Sequence, residues 1–179
     1  MAKLVIIDAG HGGMDPGAVV GDMKEKDYNL PLALRLAADL TFLSPSTRVL
    51  FTRTEDIFVP LVSRVEFANS KRADLFISIH HNTGGGSGFE SHIHPNASTY
   101  SRYLQDALQQ RLLYVTSDYV IPLRRPKTSN FSVLRNTKMP AIVIEALFMD
   151  DVVDIKLIKN PVWNNRLSYS IAEVLINAK

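Results

Sequence analysis

The chain has 179 residues, 46% hydrophobic and 21% charged, which suits one domain with a sizeable core and excludes a disordered or fibrous protein. A net charge of +2 favours an acidic surface or polymer as partner without requiring one and is only weak evidence for nucleic acid, which is not expected as a partner. There is no cysteine, so disulfides and thiolate ligands are excluded and any metal must be held by His, Asp or Glu.

In chain order, Leu4-Val5-Ile6-Ile7 is a short apolar run that stops in Asp8-Ala9-Gly10-His11-Gly12-Gly13. Four apolar residues in succession predict a strand covered on both faces, and the glycines predict a turn from which His11 faces a cleft. Asp15-Pro16-Gly17 and Gly21-Asp22 mark a loop, and Glu25 opens a helical pattern with Leu30, Leu34, Ala37 and Leu40 or Thr41 at helical spacing. Pro31 is tolerable there near the first turn. Arg48 to Arg53 predicts a second strand, and Pro60 opens a helix with Leu61, Val65 and Ala68 on its apolar side and Arg64, Lys71 and Arg72 on the other.

Asp74 to Asn82 repeats the opening theme, an apolar strand that ends in His80-His81 and runs into Gly84-Gly85-Gly86. Strand, helix, strand implies a parallel sheet with right-handed crossovers. The alternating stretch from Gly88 to His94 predicts an edge strand, Ser101 to Tyr114 a helix with Tyr103 or Leu104, Leu108 and Leu112 on one side, and residues 116 to 130 a polar loop carrying Arg124, Arg125 and Lys127. Val133-Leu134 reads as a short strand. Ala141 to Phe148 is the most apolar run of the chain and contains Glu145, an acid that must reach a polar site, pair with a cation or stay protonated. Asn160-Pro161 caps a last helix with Trp163, Leu167, Ile171 and Val174 toward the core. No run is long enough to span a membrane, and a strand beginning at residue 4 leaves no room for a signal peptide, so neither a transmembrane segment nor an export signal is expected.

Three apolar strands thus end in His11, in His80-His81 and in Glu145, and in a parallel sheet their carboxyl ends share one edge. Glu25 lies just beyond the first strand's loop, on the same edge. Two histidines, one ligand carboxylate and one free acid describe a hydrolytic zinc site, in which a fourth position holds water whose pKa falls from about 15.7 toward about 7 and the free acid acts as general base. Adjacent strand residues face opposite ways, so only one of His80 and His81 can join His11. Glu90, His92 and His94 form a rival set, since they alternate along one strand, although any half-exposed edge strand shows the same alternation.

The segments Asp8-Ala-Gly-His-Gly-Gly, Asp15-Pro-Gly-Ala, Glu25-Lys, Ser78-Ile-His80-His-Asn and Met139-Pro-Ala-Ile-Val-Ile-Glu145 resemble, in register over nearly the whole chain, the zinc-dependent N-acetylmuramoyl-L-alanine amidases, which include autolysins, sporulation enzymes and phage endolysins. The resemblance implies a single α/β domain over residues 1–179, with a twisted, mostly parallel six-stranded sheet and helices on both faces. It implies Zn2+ held by His11, Glu25 and His80, with Glu145 as catalytic acid and base. It further implies hydrolysis of the amide between N-acetylmuramic acid and L-alanine in bacterial peptidoglycan, by a monomer that acts on the cell wall. The stretch from Lys127 to Arg135 is similar to a family segment beside the cleft. The chain departs from the family after Glu145, where Leu147 stands in place of the usual glycine and Asp150-Asp151 replace the usual tail, which leaves the local backbone and cleft shape open and points to a different subsite preference. The alternatives are a zinc peptidase acting on the stem peptide and a wall-binding module without catalysis.

Overall fold

β-Branched residues and leucine, uninterrupted by glycine or proline, make Leu4–Ala9 a strand (β1), and in the computed structural model, which describes residues 3–178, it lies inside a six-stranded sheet. After it come a small hairpin (β2, Val19–Val20; β3, Met23–Lys24), α1 (Lys26–Leu43), β4 (Arg48–Phe51), α2 (Leu61–Ser70), β5 (Leu75–Asn82) and β6 (Phe89–Ile93). Then follow α3 (Thr99–Ser117), β7 (Lys127–Thr128), α4 (Ser132–Asn136), β8 (Ala141–Phe148), α5 (Asp154–Ile158) and α6 (Pro161–Asn177). The sheet order is β4-β1-β5-β8-β6-β7, and every pairing is parallel except β6 with β8. This is the single α/β domain with a mostly parallel six-stranded sheet expected from the sequence. The expected limits of 1–179 include residues 1, 2 and 179, which lie outside the described residues.

Alternation along the strands divides the core between two faces. Val5, Ile7, Ile77 and Ile144 point toward α1, α3 and α6, where Leu36, Leu108 and Trp163 complete the larger cluster. Ile6, Phe76 and Val143 point the other way, toward Val65 of α2 and Leu134 of α4. Helices therefore cover both faces, but unequally. The second face has only the ten residues of α2 and the five of α4 over it, and this thin cover leaves a cleft beside the carboxyl ends of β1, β5 and β8. Among the described residues no helix is long and apolar enough to cross a membrane.

Several local expectations are corrected. Val133-Leu134 belongs to the short helix α4, both side chains buried against the thin face. β6 is not an edge strand: it lies between β8 and the two-residue β7, and all five of its residues are buried. α1 begins at Lys26, which places Pro31 in its second turn, and its buried side is Leu32, Ala33, Leu36, Ala37 and Leu40 while Leu34 is exposed. Apolar residues occur around more than one side of α1, so spacing alone did not fix its inner face. Arg64, expected on the outer side of α2, is buried instead, and Leu61 is exposed.

Candidate metal centre and active site

β1 ends in a turn whose shape is set by close approach. A Cβ on Gly10 would meet the His80 ring at 2.2 Å, and one on Gly17 would meet Glu25 Oε2 at 2.5 Å and His11 Cδ2 at 2.6 Å, so only glycine leaves room for the three side chains to converge. His11 itself has φ 60°, in the left-handed region. Two buried arginines hold that turn. Arg64 donates to the carbonyls of Ala9 at 2.7 Å and His11 at 2.8 Å, and Arg53 donates to those of Ala9 and Gly10, each at 2.9 Å. Arg64 also donates to Asp8 Oδ1 at 2.6 Å, and Asp8 takes Thr52 and Ser78 hydroxyls at 2.6 Å each. Burial opposes ionisation of Asp8, but the Arg64 charge and these hydrogen bonds hold its carboxyl below the usual range.

On this frame three donor groups meet. His11 Nε2 lies 3.0 Å from Glu25 Oε2, and His80 Nδ1 lies 2.8 Å from Glu25 Oε1. One ligand atom from each of the three residues lies within 4.8 Å of the others, and among the described residues this is the one His, Cys, Asp or Glu cluster able to hold an ion. Two imidazoles and a carboxylate suit a tetrahedral ion, whose ligand atoms stand about 3.3 Å apart at ordinary bond lengths. His11 Nδ1 lies 2.8 Å from Asp15 Oδ2, an arrangement that puts its proton on Nδ1 and turns the Nε2 lone pair to the cluster. The donor set therefore fits a metal ion.

Electrostatics follow from the crowding. Burial would raise Glu25, but hydrogen bonds to His11 and His80 hold it well below the usual carboxylate range. Burial would lower His11, but the hydrogen bonds and charges of Glu25 and Asp15 raise it to about 9. Glu145 shows the opposite balance. Burial pushes it up to about 7; His80 works against this, and the charges of Glu25 and Glu90 add to it. Glu145 lines, together with His11 and His80, a cavity of about 490 Å³ with apolar walls from Phe58, Leu61 and Phe131. A carboxyl that titrates near neutrality beside a metal-type cluster can move a proton to or from a bound molecule.

The strand pattern separates His80 from His81. His80 turns to the cleft, while His81 is buried on the α1 side with Nδ1 2.8 Å from Asn29 Oδ1, and burial lowers its pKa to about 4, so it is neutral. The rival set does not assemble. His92 Nε2 is 3.4 Å from Glu90 Oε2, but His94 is directed at Asn130 Oδ1, 3.3 Å away. Glu90 is taken up by Lys127 at 2.7 Å, by Arg124 and by Asn82 at 3.1 Å, so two of the three cations of the basic loop are turned onto an acid of the chain itself. Phe131, Ser132 and Val133, from the stretch following Lys127, line the cavity. Sequence reasoning missed the roles of Arg53, Arg64 and Asn29. The one available signal was Asp8, a second acid in an apolar strand that needed a buried partner.

A parallel sheet whose carboxyl edge carries an N/O donor cluster and a neighbouring acid places the chain in the class of α/β domains with a candidate hydrolytic metal centre. More narrowly, residues 5–177 match the N-acetylmuramoyl-L-alanine amidase family, and the chain belongs to it. It is 39% identical over 180 residues to the endolysin of Bacillus phage SPP1, covering 97% of this chain and 65% of that protein. To the sporulation-specific N-acetylmuramoyl-L-alanine amidase of Bacillus subtilis it is 40% identical over 155 residues, covering 87% of this chain and 60% of that protein. The chain thus spans somewhat under two thirds of these relatives. Among solved structures, an N-acetylmuramoyl-L-alanine amidase from Clostridium difficile 630 superposes with a TM-score of 0.90 at 31% identity, covering 98% of this chain and 95% of that one. The catalytic domain of the amidase CwlV from Bacillus (Paenibacillus) polymyxa gives 0.88 at 29% identity, covering 99% of each chain.

Proposed function

We propose that the chain is an amidase catalytic domain over residues 1–179 that hydrolyses the amide between N-acetylmuramic acid and L-alanine in bacterial peptidoglycan, and so acts on the cell wall. The observation that carries this reading is that Glu145, held near neutrality, lines one cavity with His11 and His80, the two histidines of the His11–Glu25–His80 cluster. His11, Glu25 and His80 would hold the ion, and zinc is the metal that suits two imidazoles and one carboxylate. When bound, such an ion supplies Lewis acidity, polarising a carbonyl and making water more acidic at neutral pH.

The remaining work falls to the chain itself. Glu145, in its ionised form, takes a proton from the attacking water, hydrogen-bonds the tetrahedral species and returns the proton to the leaving amine nitrogen. Asp15 keeps the His11 tautomer fixed, and Arg53 and Arg64 keep the turn that carries His11 from shifting. The apolar side chains of Phe58, Leu61 and Phe131 wall the cavity and would face the uncharged parts of a muropeptide. Digestion of purified bacterial wall tests the reading, with new amino termini and new reducing sugar ends assayed separately. The expected outcome is amino-terminal alanine without reducing ends, lost on chelation and restored by zinc. Amino termini from other stem residues would make it a peptidase, and a zinc-loaded protein that releases nothing would make it a binding module.

A further inference from the structure

The two oxygens of Glu25 are held by different groups. Oε2 accepts the Ala18 N–H at 3.0 Å and faces His11 Nε2, while Oε1 faces His80 Nδ1 and accepts the His81 N–H at 3.2 Å and the Asn29 amide at 3.0 Å. Asn29 is fully buried one turn further along α1, and its Nδ2 also donates to the Gly10 carbonyl at 3.2 Å, in the turn that carries His11. Both acceptors require the amide nitrogen on that side, since a flipped amide would set an oxygen against the Glu25 carboxylate and the Gly10 carbonyl. Asn29 Oδ1 is therefore an acceptor, and the group it faces at 2.8 Å, His81 Nδ1, must be the donor. That fixes the His81 tautomer: the proton is on Nδ1 and Nε2 is bare.

We propose that Asn29 and His81 are positioning residues for the metal-ligand carboxylate. The His81 ring orients the Asn29 amide, and the amide ties Glu25 Oε1 to the Gly10 carbonyl. Glu25 and the His11 turn then keep one relative geometry for a divalent cation. The inference rests on the reading of His11, Glu25 and His80 as ligands. Its physical content is preorganisation: a carboxylate whose rotamer is fixed by buried donors gives up less freedom when it takes a cation, and partners behind metal ligands typically contribute about 10- to 100-fold in affinity. Strand alternation makes the arrangement available. His80 approaches the site from the cleft side of β5, and its neighbour His81 supports the same carboxylate from the α1 side.

The test is zinc affinity, measured by competition with a chromophoric chelator at fixed pH, so that it does not depend on wall hydrolysis. Asn29→Leu keeps the shape and removes the amide, and it is expected to weaken zinc binding by about 10- to 100-fold. His81→Phe fills the ring's space without a donor and is expected to weaken binding by a smaller step, and His81→Gln, whose amide can again donate to Asn29, is expected to recover most of it. Unchanged affinity in folded Asn29→Leu and His81→Phe overturns the proposal, as does equal loss in His81→Phe and His81→Gln. Should the variants fail to fold, nitrogen NMR of the histidine-labelled wild type decides: the His81 proton on Nδ1 is the expected result, and a proton on Nε2 overturns the relay. A wild type that binds no zinc would instead sink the ligand reading itself, and one that binds zinc but releases no alanine termini would sink the amidase activity alone.

Discussion

Glu145 and His80 are register partners across the parallel pair β5–β8, so one strand pairing sets the spacing between the candidate base and a candidate ligand. Both side chains point to the thinly covered face, and a slip of one residue in either strand would turn that strand's group into the opposite core. Glu145→Gln keeps the shape and removes the base. It is expected to bind zinc as the wild type does and to lose about 10²- to 10⁴-fold in wall hydrolysis. Full activity in the zinc-loaded variant would remove Glu145 from the mechanism.

The same residue makes stability depend on pH. Burial raises Glu145 from 4.5 to about 7 in the folded chain. Below the lower value both states hold the proton and the residue is neutral in its effect. Between the two values the unfolded chain ionises first, so the folded state loses stability as pH rises, and the full penalty is present above about 7. Melting curves in chelator should therefore show Glu145→Gln more stable than wild type at a pH of about 8 and no more stable at a pH of about 4. An advantage that is equal at both values would mean that Glu145 ionises normally in the fold.

On the proposed reading of His11 as a ligand, zinc and protons would compete for its ring. Its raised value of about 9 means that the ring carries an extra proton at neutral pH before a cation binds, and that proton must leave. Zinc affinity is thus expected to rise with pH until the ring is neutral above about 9. Asp15→Asn removes one charge that raises His11 and also the carboxylate that fixes its tautomer, so it should flatten this rise and weaken binding. Calorimetry in buffers of different ionisation heat reads the released proton directly; no release at neutral pH would contradict the raised value.

Asp8 and Arg64 are 1% and 3% exposed in their side chains, and they anchor the turn beneath His11. Arg64→Met leaves the Asp8 carboxylate buried without its cation, a change expected to cost about 3–5 kcal/mol in urea unfolding. Adding Asp8→Asn to that variant should recover part of the loss, because the uncompensated charge is then gone. Equal stability of the single and double variants would show that Arg64 acts through the carbonyls of Ala9 and His11 alone.

His11, His80 and Glu145 could be placed from the sequence because short apolar runs that end in glycine or polar residues mark buried parallel strands, and the carboxyl ends of such strands converge. Glu25 followed from its position just after the first loop. The supporting residues were less visible. Arg64 lies on a helix whose spacing put it outside, and only the buried demand of Asp8, on a distant strand, turns it inward. Asn29 occupies a helical position where a polar residue is usually solvated, and its burial depends on the acceptors Glu25 and Gly10. β6 read as an edge strand because its alternation is real, yet Glu90 and His92 are polar residues kept inside by Lys127, Arg124 and Ser129. Periodicity reports which residues share a face; it does not report which polar groups find partners there.

Leu147 tests the sequence departure most directly, since the resemblance leads one to expect glycine at this position. The backbone has kept a glycine-like conformation: Leu147 has φ 94° and is fully buried. The cause is a bulge, for two steps along β5 from His80 to Asn82 are matched by three along β8 from Glu145 to Phe148. Asp154, itself fully buried, locks the bulge by accepting the Phe148 N–H at 2.9 Å and the Gly88 N–H at 2.7 Å. The leucine side chain therefore packs in the core while its backbone bears a strain of about 1–3 kcal/mol. Leu147→Ala loses packing, about 2–5 kcal/mol, and retains the strain. Leu147→Gly loses similar packing and releases the strain. In most buried strands alanine is the more stable of the two by roughly 0.5–1 kcal/mol, and here the order is expected to invert, with glycine above alanine by about 1 kcal/mol in urea unfolding. Alanine above glycine would show that the fold relaxes around residue 147 and that the departure from glycine has reshaped the strand end beside Glu145.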